Sequence, residues 1–259
     1  MNPVVLHHKP DIEAVLRRNP VLYNYALGDL DDFFWPYTTW HALASAQAIQ
    51  QIALLYTGTN LPVLLALSEA PPEMAALLQA IHYFLPRRVY AHLSPGLLPV
   101  LAEIYQPQAH GTYFKMALTQ PAKLEGVETS AVEPLTVAHL AELKALYQLS
   151  YPGNWFDPRM LETGRYYGVR RAKQLVAVAG IHVYSPRYGV AALGNITTHP
   201  EFRGQGLATQ VTAKLGQVLT GQIEYIGLNV RADNAAAIAC YERLGFERVA
   251  IYEEWMLEG

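Results

Sequence analysis

The stretch ITTHPEFRGQGLATQV carries the most specific chemistry in the chain. A strand over 194–198 leads into Arg203-Gly204-Gln205-Gly206-Leu207-Ala208, and a helix begins at once. Glycines at 204 and 206 permit positive φ or close backbone approach, and the small Ala208 keeps the helix start free of bulk. Amides of a first helical turn lack intrahelical partners, and the helix dipole adds positive charge there. Such a turn is an anion cradle suited to a pyrophosphate. It is not the loop of a P-loop NTPase, because no Lys-Ser or Lys-Thr follows the glycines. GxGxxG fails as well, since Leu207, Ala208 and Thr209 follow Gly206, and the loop trails a late strand rather than the first strand of a Rossmann unit.

Residues 194–256 resemble the second half of the GNAT superfamily of acyl-CoA N-acyltransferases. The signature Gln/Arg-x-x-Gly-x-Gly/Ala is met by Arg203, Gly206 and Ala208. A strand follows, then Asn234, then Tyr241 seven residues on in a Tyr-x-x-x-Gly-Phe ending at Phe246. The resemblance covers about a quarter of the chain. It implies acetyl-CoA or another acyl-CoA as cofactor and no metal. The backbone of Ile196, Thr197 and Thr198 would pair with the pantetheine arm like an added strand. The amides of Gly204, Gln205, Gly206, Leu207, Ala208 and Thr209 would hold the pyrophosphate, with Arg203 and Asn234 also at the cofactor. The strand YIGLNV would splay from ALGNIT to open a slot for the thioester.

The implied reaction moves an acyl group from sulfur to an amine nitrogen by direct transfer in a ternary complex. Tyr241 is expected as general acid toward the leaving thiolate, whose thiol has a pKa of about 8.5, and as a cofactor contact. It equally suits a core aromatic beside Ile238, Leu244 and Phe246. Asn234 also suits an N-cap, a role compatible with cofactor contact. His199 reads as turn chemistry, and nothing marks Cys240 as an activated nucleophile. Several relatives carry a Glu on the strand before the loop. Here that place falls near Ala192, and ALGNIT holds no carboxylate. The remaining candidates for a base are Glu162, His182, or a water held by Asn195 and backbone; alternatively the acceptor enters as free amine. Tyr151, Trp155, Phe156, Tyr166, Tyr167 and Tyr184, with Asp157, Glu162, Arg165 and Arg187, suit either a pocket for a small amine or amino acid or an interdomain surface.

Positioning these groups falls to a mixed α/β arrangement (α+β mixed sheet). In the second half, 132–137 reads as a short strand, AHLAELKALYQL as a helix and RMLETG as another. YYGVRR and LVAVAGIHVY form a hairpin turning near 172–174. Then come the strand GVAALGNITT, the loop, the helix LATQVTAKLGQVLTG, the strand IEYIGLNVRA, a helix ending at Gly245 and the strand FERVAIYEEWML. The first half ends on the same strand–helix–strand–helix–strand order, including helices over PEMAALLQAIHYFL and PGLLPVLAEIY. A polar seam at 119–134 separates the halves, so residues 1–121 are expected as a degenerate GNAT-like domain and 130–259 as the acetyltransferase domain. Where the phosphate loop belongs, the first half offers Pro71, Pro72, Glu69 and Glu73 and no glycine, so it lacks the donors to hold a phosphate. This tandem layout resembles glycine N-acyltransferase-like proteins.

Among 259 residues, 51% are hydrophobic and 16% charged, with net charge −3, which excludes intrinsic disorder and the broad cationic field of nucleic-acid binding. The single cysteine, Cys240, excludes an internal disulfide and a multi-thiolate metal site. No apolar run reaches membrane-spanning length and the start has no secretory h-region, so a cytoplasmic protein with no membrane partner is expected. The reading is an N-acetyltransferase acting on a primary amine of a small molecule or amino acid. The alternatives are a CoA-binding sensor without turnover and a transferase for protein or peptide amines.

Overall fold

The computed structural model describes residues 2–46 and 48–259. In chain order the elements are β1 (Asn2–Leu6), α1 (Lys9–Leu16), α2 (Asn24–Gly28), β2 (Thr38–Ala44), β3 (Ile49–Tyr56), β4 (Val63–Ala66), α3 (Pro71–Ile81), β5 (Arg88–Leu93), α4 (Leu98–Leu101) and β6 (Gln106–Leu118). They continue as α5 (Ala122–Glu125), β7 (Val132–Pro134), α6 (Leu140–Ser150), β8 (Tyr167–Arg171), β9 (Gln174–Ser185), β10 (Val190–Thr198), α7 (Leu207–Leu219), β11 (Tyr225–Arg231), α8 (Ala235–Arg243) and β12 (Phe246–Glu258). The chain divides into two compact units, one of residues 1–115, 230–233 and 248–259, the other of 116–229 and 234–247. The polar segment 119–134 therefore belongs to the second unit.

In the first unit the strand order is β1-β2-β3-β4-β5-β12-β6. All pairs from β1 through β4 are antiparallel, β4 and β5 are parallel, and β12 is antiparallel to β5. Helix α3 presents Met74, Leu77, Leu78 and Ile81 to the core, the i, i+3, i+4, i+7 spacing of one helical face. These meet Leu64, Ala66, Val89, Ala91 and Leu93 of β4 and β5 in one apolar cluster. The parallel β4–β5 ladder runs from Val63–Tyr90 to Ala66–Leu93 and is then clasped shut. Ser94 N–H donates to Ala66 C=O (3.2 Å), Ser68 N–H donates to Ser94 Oγ (2.9 Å), and Ser94 Oγ donates to Ser68 C=O (3.2 Å). Helix α3 opens with prolines at its first positions, which removes amide donors from its start.

The second unit has the order β7-β8-β9-β10-β11, antiparallel except for the parallel β10–β11 pair. The β8–β9 hairpin turns through Ala172 and Lys173, both at positive φ (47° and 71°), as a two-residue primed turn requires. Helix α7 buries Leu207, Val211, Leu215 and Leu219 along one stripe. Gly245 follows α8 at φ 93°, and its carbonyl accepts the amides of Thr119 and Gln120 (3.0 and 3.1 Å).

Several elements differ from expectation for local reasons. RMLETG forms a 3-10 turn over Pro158–Thr163, capped by Asp157 and closed by left-handed Gly164. The expected helix 95–105 is one turn, Leu98–Leu101, because Pro95 and Pro99 deny it amides. LYNYALGDL contributes only Asn24–Gly28. The strand β1 was not expected, since NPVVL lacks alternation and carries a proline; its pairing with β2 supplies what its own pattern does not.

Candidate active site

Strands β10 and β11 pair in parallel from Val190–Tyr225 to Leu193–Leu228, and there the ladder stops. Two residues on, Asn195 sits in the left-handed region at φ 55°. The β10–β9 register is broken across the same place, between Gly194 and Thr197, which is a β-bulge. A bulge bends its strand and raises the local twist. Asn195 is held there from every polar atom of its side chain. Tyr147 OH donates to Asn195 C=O (3.0 Å), Asn154 Nδ2 donates to Asn195 Oδ1 (3.1 Å), and Asn195 Nδ2 donates to Tyr166 OH (3.0 Å). Tyr166 OH in turn donates to Ile181 C=O (3.0 Å). The Tyr166 ring fills the space over Gly180, where an added Cβ would come within 2.1 Å of it.

Ile196, Thr197 and Thr198 follow the bulge, beyond the last β11 partner. Thr197 Oγ1 donates to Ser150 Oγ (3.1 Å). Thr198 Oγ1 is buried with no hydrogen-bond partner among the described residues, a state that costs about 1–3 kcal/mol until a ligand meets it. The chain then makes a 3-10 turn over Pro200–Phe202, where His199 Nδ1 accepts Glu201 N–H (3.3 Å). Arg203 ties the loop down, its Nε donating to Thr198 C=O (3.3 Å) and its guanidinium to Ser150 C=O (3.4 Å).

Gly204 and Gly206 have φ of 77° and 74°, and Gly206 is the N-cap of α7. A Cβ at either would meet nothing within 4 Å, so these positions need glycine for backbone conformation and not for room. The first intrahelical bond is Gln210 N–H to Gly206 C=O (3.1 Å). The amides of Leu207, Ala208 and Thr209 precede it and point out of the helix start. Residues 203–206 are exposed, and buried Leu207 anchors them. The parted strand edge, the orphaned Thr198 hydroxyl and this open amide turn together fit a pantetheine pyrophosphate.

Tyr241 lies on α8, 8% exposed, with its ring edge-on to Phe246 (6.1 Å between centroids). Burial lifts its phenol above the ordinary value, and Cys240 and Tyr151 push the same way. The ring packs as a core aromatic does, and burial keeps the phenol protonated. Asn234 caps α8, its Oδ1 accepting Ala237 N–H (3.1 Å). That leaves its amide nitrogen for another partner. Cys240 Sγ lies 3.2 Å from Thr209 Oγ1, and burial raises its thiol, so it is inert packing.

The two candidate bases separate. His182 on β9 lies against the backbone of Gly194, where an added Cβ would come within 1.9 Å of Cδ2, and its ring is 5.7 Å from Trp155. It is thus brought to the bulge. Glu162 is exposed on the 3-10 turn. Asp157 is near Tyr166, but its Oδ2 accepts both Nε (2.8 Å) and the terminal nitrogen (2.5 Å) of Arg159. The aromatic wall also divides. Tyr166 and Tyr167 are interior, Tyr184 binds Arg165 (3.0 Å), Phe156 packs between Tyr147 and Tyr166, and Tyr151 is 45% exposed. Tyr147, Ser150 and Asn154 were not singled out from sequence. A signal existed: Tyr147, Ser150 and Tyr151 at i, i+3, i+4 put hydroxyls on one face of the end of α6.

Residues 133–246 match the profile of the family described as Acetyltransferase (GNAT) family. N-alpha-acetyltransferase RimI of Mycobacterium tuberculosis is 30% identical over 139 residues, 48% of this chain and 85% of that protein. Other curated relatives are matched over less of their length, 36% of one and 42% of another. A putative GNAT acetyltransferase from Novosphingobium aromaticivorans superposes with a TM-score of 0.60 at 21% identity, covering 97% of this chain and 99% of that one. A tandem GNAT protein from the clavulanic acid biosynthesis pathway does so with a TM-score of 0.58 at 15% identity, covering 98% of each.

Proposed function

The chain belongs to the GNAT acetyltransferase family, and on that premise we propose that its second unit transfers an acetyl group from acetyl-CoA to a primary amine by direct attack in a ternary complex. The observation that carries this reading is the coincidence of two features. The β10–β11 ladder ends at Leu193–Leu228, and an exposed, glycine-initiated helix start follows on the same strand. Bound acetyl-CoA supplies the acetyl group as a thioester, whose C–S bond breaks as the amine nitrogen bonds to the acyl carbon.

The chain's own groups do the rest. Ile196, Thr197 and Thr198 offer an unpaired strand edge, and the Thr198 hydroxyl gains a partner. Amides from Gly204 to Thr209 receive the pyrophosphate, with Asn234 Nδ2 and Arg203 at its flanks. Tyr241 gives a hydrogen bond toward sulfur as negative charge grows there. Its raised pKa keeps it protonated throughout the neutral range. Complete transfer to a thiolate whose thiol has a pKa of about 8.5 is uphill, so the phenol hydrogen-bonds the sulfur and the proton that finally ends there is the one the amine nitrogen loses. His182, at the bulge, is the better placed of the two candidate bases; Glu162 is exposed on its 3-10 turn. The first unit takes no part in cofactor binding in this reading, because its corresponding ladder is clasped by Ser68 and Ser94.

The acceptor class is a small amine or amino acid. A peptide α-amine is the second reading, favoured by the RimI relative, whose name states N-alpha-acetyltransferase. Acetyl-CoA at about 100 times its Kd should stabilise the protein by roughly 2.7 kcal/mol, and an amine panel should release free thiol. Tyr241→Phe should lower kcat by about 10²–10⁴-fold with Kd for acetyl-CoA unchanged. A protein whose melting is indifferent to acetyl-CoA sinks the proposal. Stabilisation without turnover of any amine leaves a CoA-binding sensor instead.

A further inference from the structure

The second unit holds an open cleft along the end of α6, lined by Lys144, Tyr147, Gln148, Tyr151, Asn154 and Phe156, among others. Two of its lining residues tie it to the bulge: Tyr147 and Asn154 both bond to Asn195. Tyr151 lies close enough to Tyr241 to act on its phenol electrostatically. The lining carries one ionised side chain, Lys144, and no carboxylate. Nearby acids are already engaged. Glu142, two residues before Lys144, is held by Arg170, which also binds Glu133 (2.5 Å). Asp157, beyond the cleft's last residue, is held by Arg159. Lys144 is exposed and has no ion pair among the described residues.

Helical rise places Lys144 about 4.5 Å along the axis from Tyr147 and about 10 Å from Tyr151, on the same face. From these facts we infer that the acceptor carries a negatively charged group several bonds from its amine, and that Lys144 is the specificity-determining residue that selects it. The inference rests on the reading of the second unit as an amine acetyltransferase. With the amine at the Tyr147–Asn195 end of the cleft, the ammonium of Lys144 lies over the acceptor's far end. An ion pair at about 4 Å in water favours the charged acceptor about fivefold, and more where the cleft excludes solvent.

The test uses a ladder of ω-amino acids (glycine, β-alanine, 4-aminobutanoate, 6-aminohexanoate), each against its carboxamide, with thiol release as readout. The full chain is compared with Lys144→Gln and Lys144→Glu. Taking the carboxylate-to-carboxamide ratio of kcat/KM between proteins cancels the difference in amine basicity. At one or two chain lengths that ratio should fall about fivefold in Lys144→Gln and further in Lys144→Glu, and 1 M salt should flatten the difference. An identical ratio in wild type and Lys144→Glu overturns the inference. Should no member release thiol, calorimetric binding of the same pairs decides, and equal affinities in both proteins overturn it. The melting shift with acetyl-CoA should be the same in all three proteins; its absence from wild type refutes the acetyltransferase reading itself.

Discussion

Asn195 separates a conformational requirement from a hydrogen-bonding one, and three substitutions resolve the two. Its side chain makes two hydrogen bonds, to Tyr166 OH and from Asn154 Nδ2, at 3.0 and 3.1 Å. Each contributes about 1 kcal/mol net. Its backbone is at φ 55°, where alanine is disfavoured by about 1–2 kcal/mol and glycine is not. Asn195→Gly should therefore cost about 2 kcal/mol and Asn195→Ala about 3, the difference of about 1 being the φ penalty less what alanine recovers by restricting the unfolded chain. Tyr147→Phe, which removes the hydroxyl from the same residue's carbonyl (3.0 Å), should cost about 1–3 kcal/mol because that oxygen is buried. Urea unfolding at pH 7, with a common slope, measures all three. The same proteins should lose affinity for acetyl-CoA in the same order, since the bulge sets the strand edge that follows. Equal stability of the glycine and alanine proteins would refute the claim that a left-handed residue holds this bend.

Gly206→Ala faces open space but must hold φ 74°, so acetyl-CoA affinity should fall about 5–30-fold with little change in melting temperature, read by calorimetry. Gly194→Ala is the opposite case. Its Cβ would come within 1.9 Å of the His182 ring, and both stability and turnover should drop, read by melting and thiol release. Asp29 in the first unit is buried and desolvation raises its carboxyl from 3.8 to about 8. A raised folded value means stability is fully present below about pH 4 and is lost as pH rises toward 8. Asn at 29 has no such loss, so Asp29→Asn should gain over wild type progressively between pH 4 and 8, by several kcal/mol at most, in urea titrations across pH. A constant difference across that range would show that Asp29 is not buried in solution.

The phosphate loop was legible because its requirement is local. Two glycines, an arginine and a small residue at a strand-to-helix junction dictate positive φ and open amides whatever surrounds them. The N-cap at Asn234 and the packed ring of Tyr241 were legible too, each following from its place on α8, whereas their cofactor roles came only from the family resemblance. What the sequence hid depends on contacts distant in the chain. Asn195 reads as an ordinary strand residue until Tyr147 and Asn154, more than forty positions earlier, fold onto it. Tyr166 looked like a pocket wall and is interior, because Gly180 leaves room for its ring. Proline cuts the expected 95–105 helix to one turn, because the amides missing at Pro95 and Pro99 count for more there than the apolar periodicity.

The Ser68–Ser94 clasp has a consequence for stoichiometry. With the groove of one unit sewn by a hydroxyl that both gives and accepts, and that of the other left ajar, a titration should saturate at one mole of thioester per mole of chain. Calorimetry that counts two would mean that a pair of serines is no barrier.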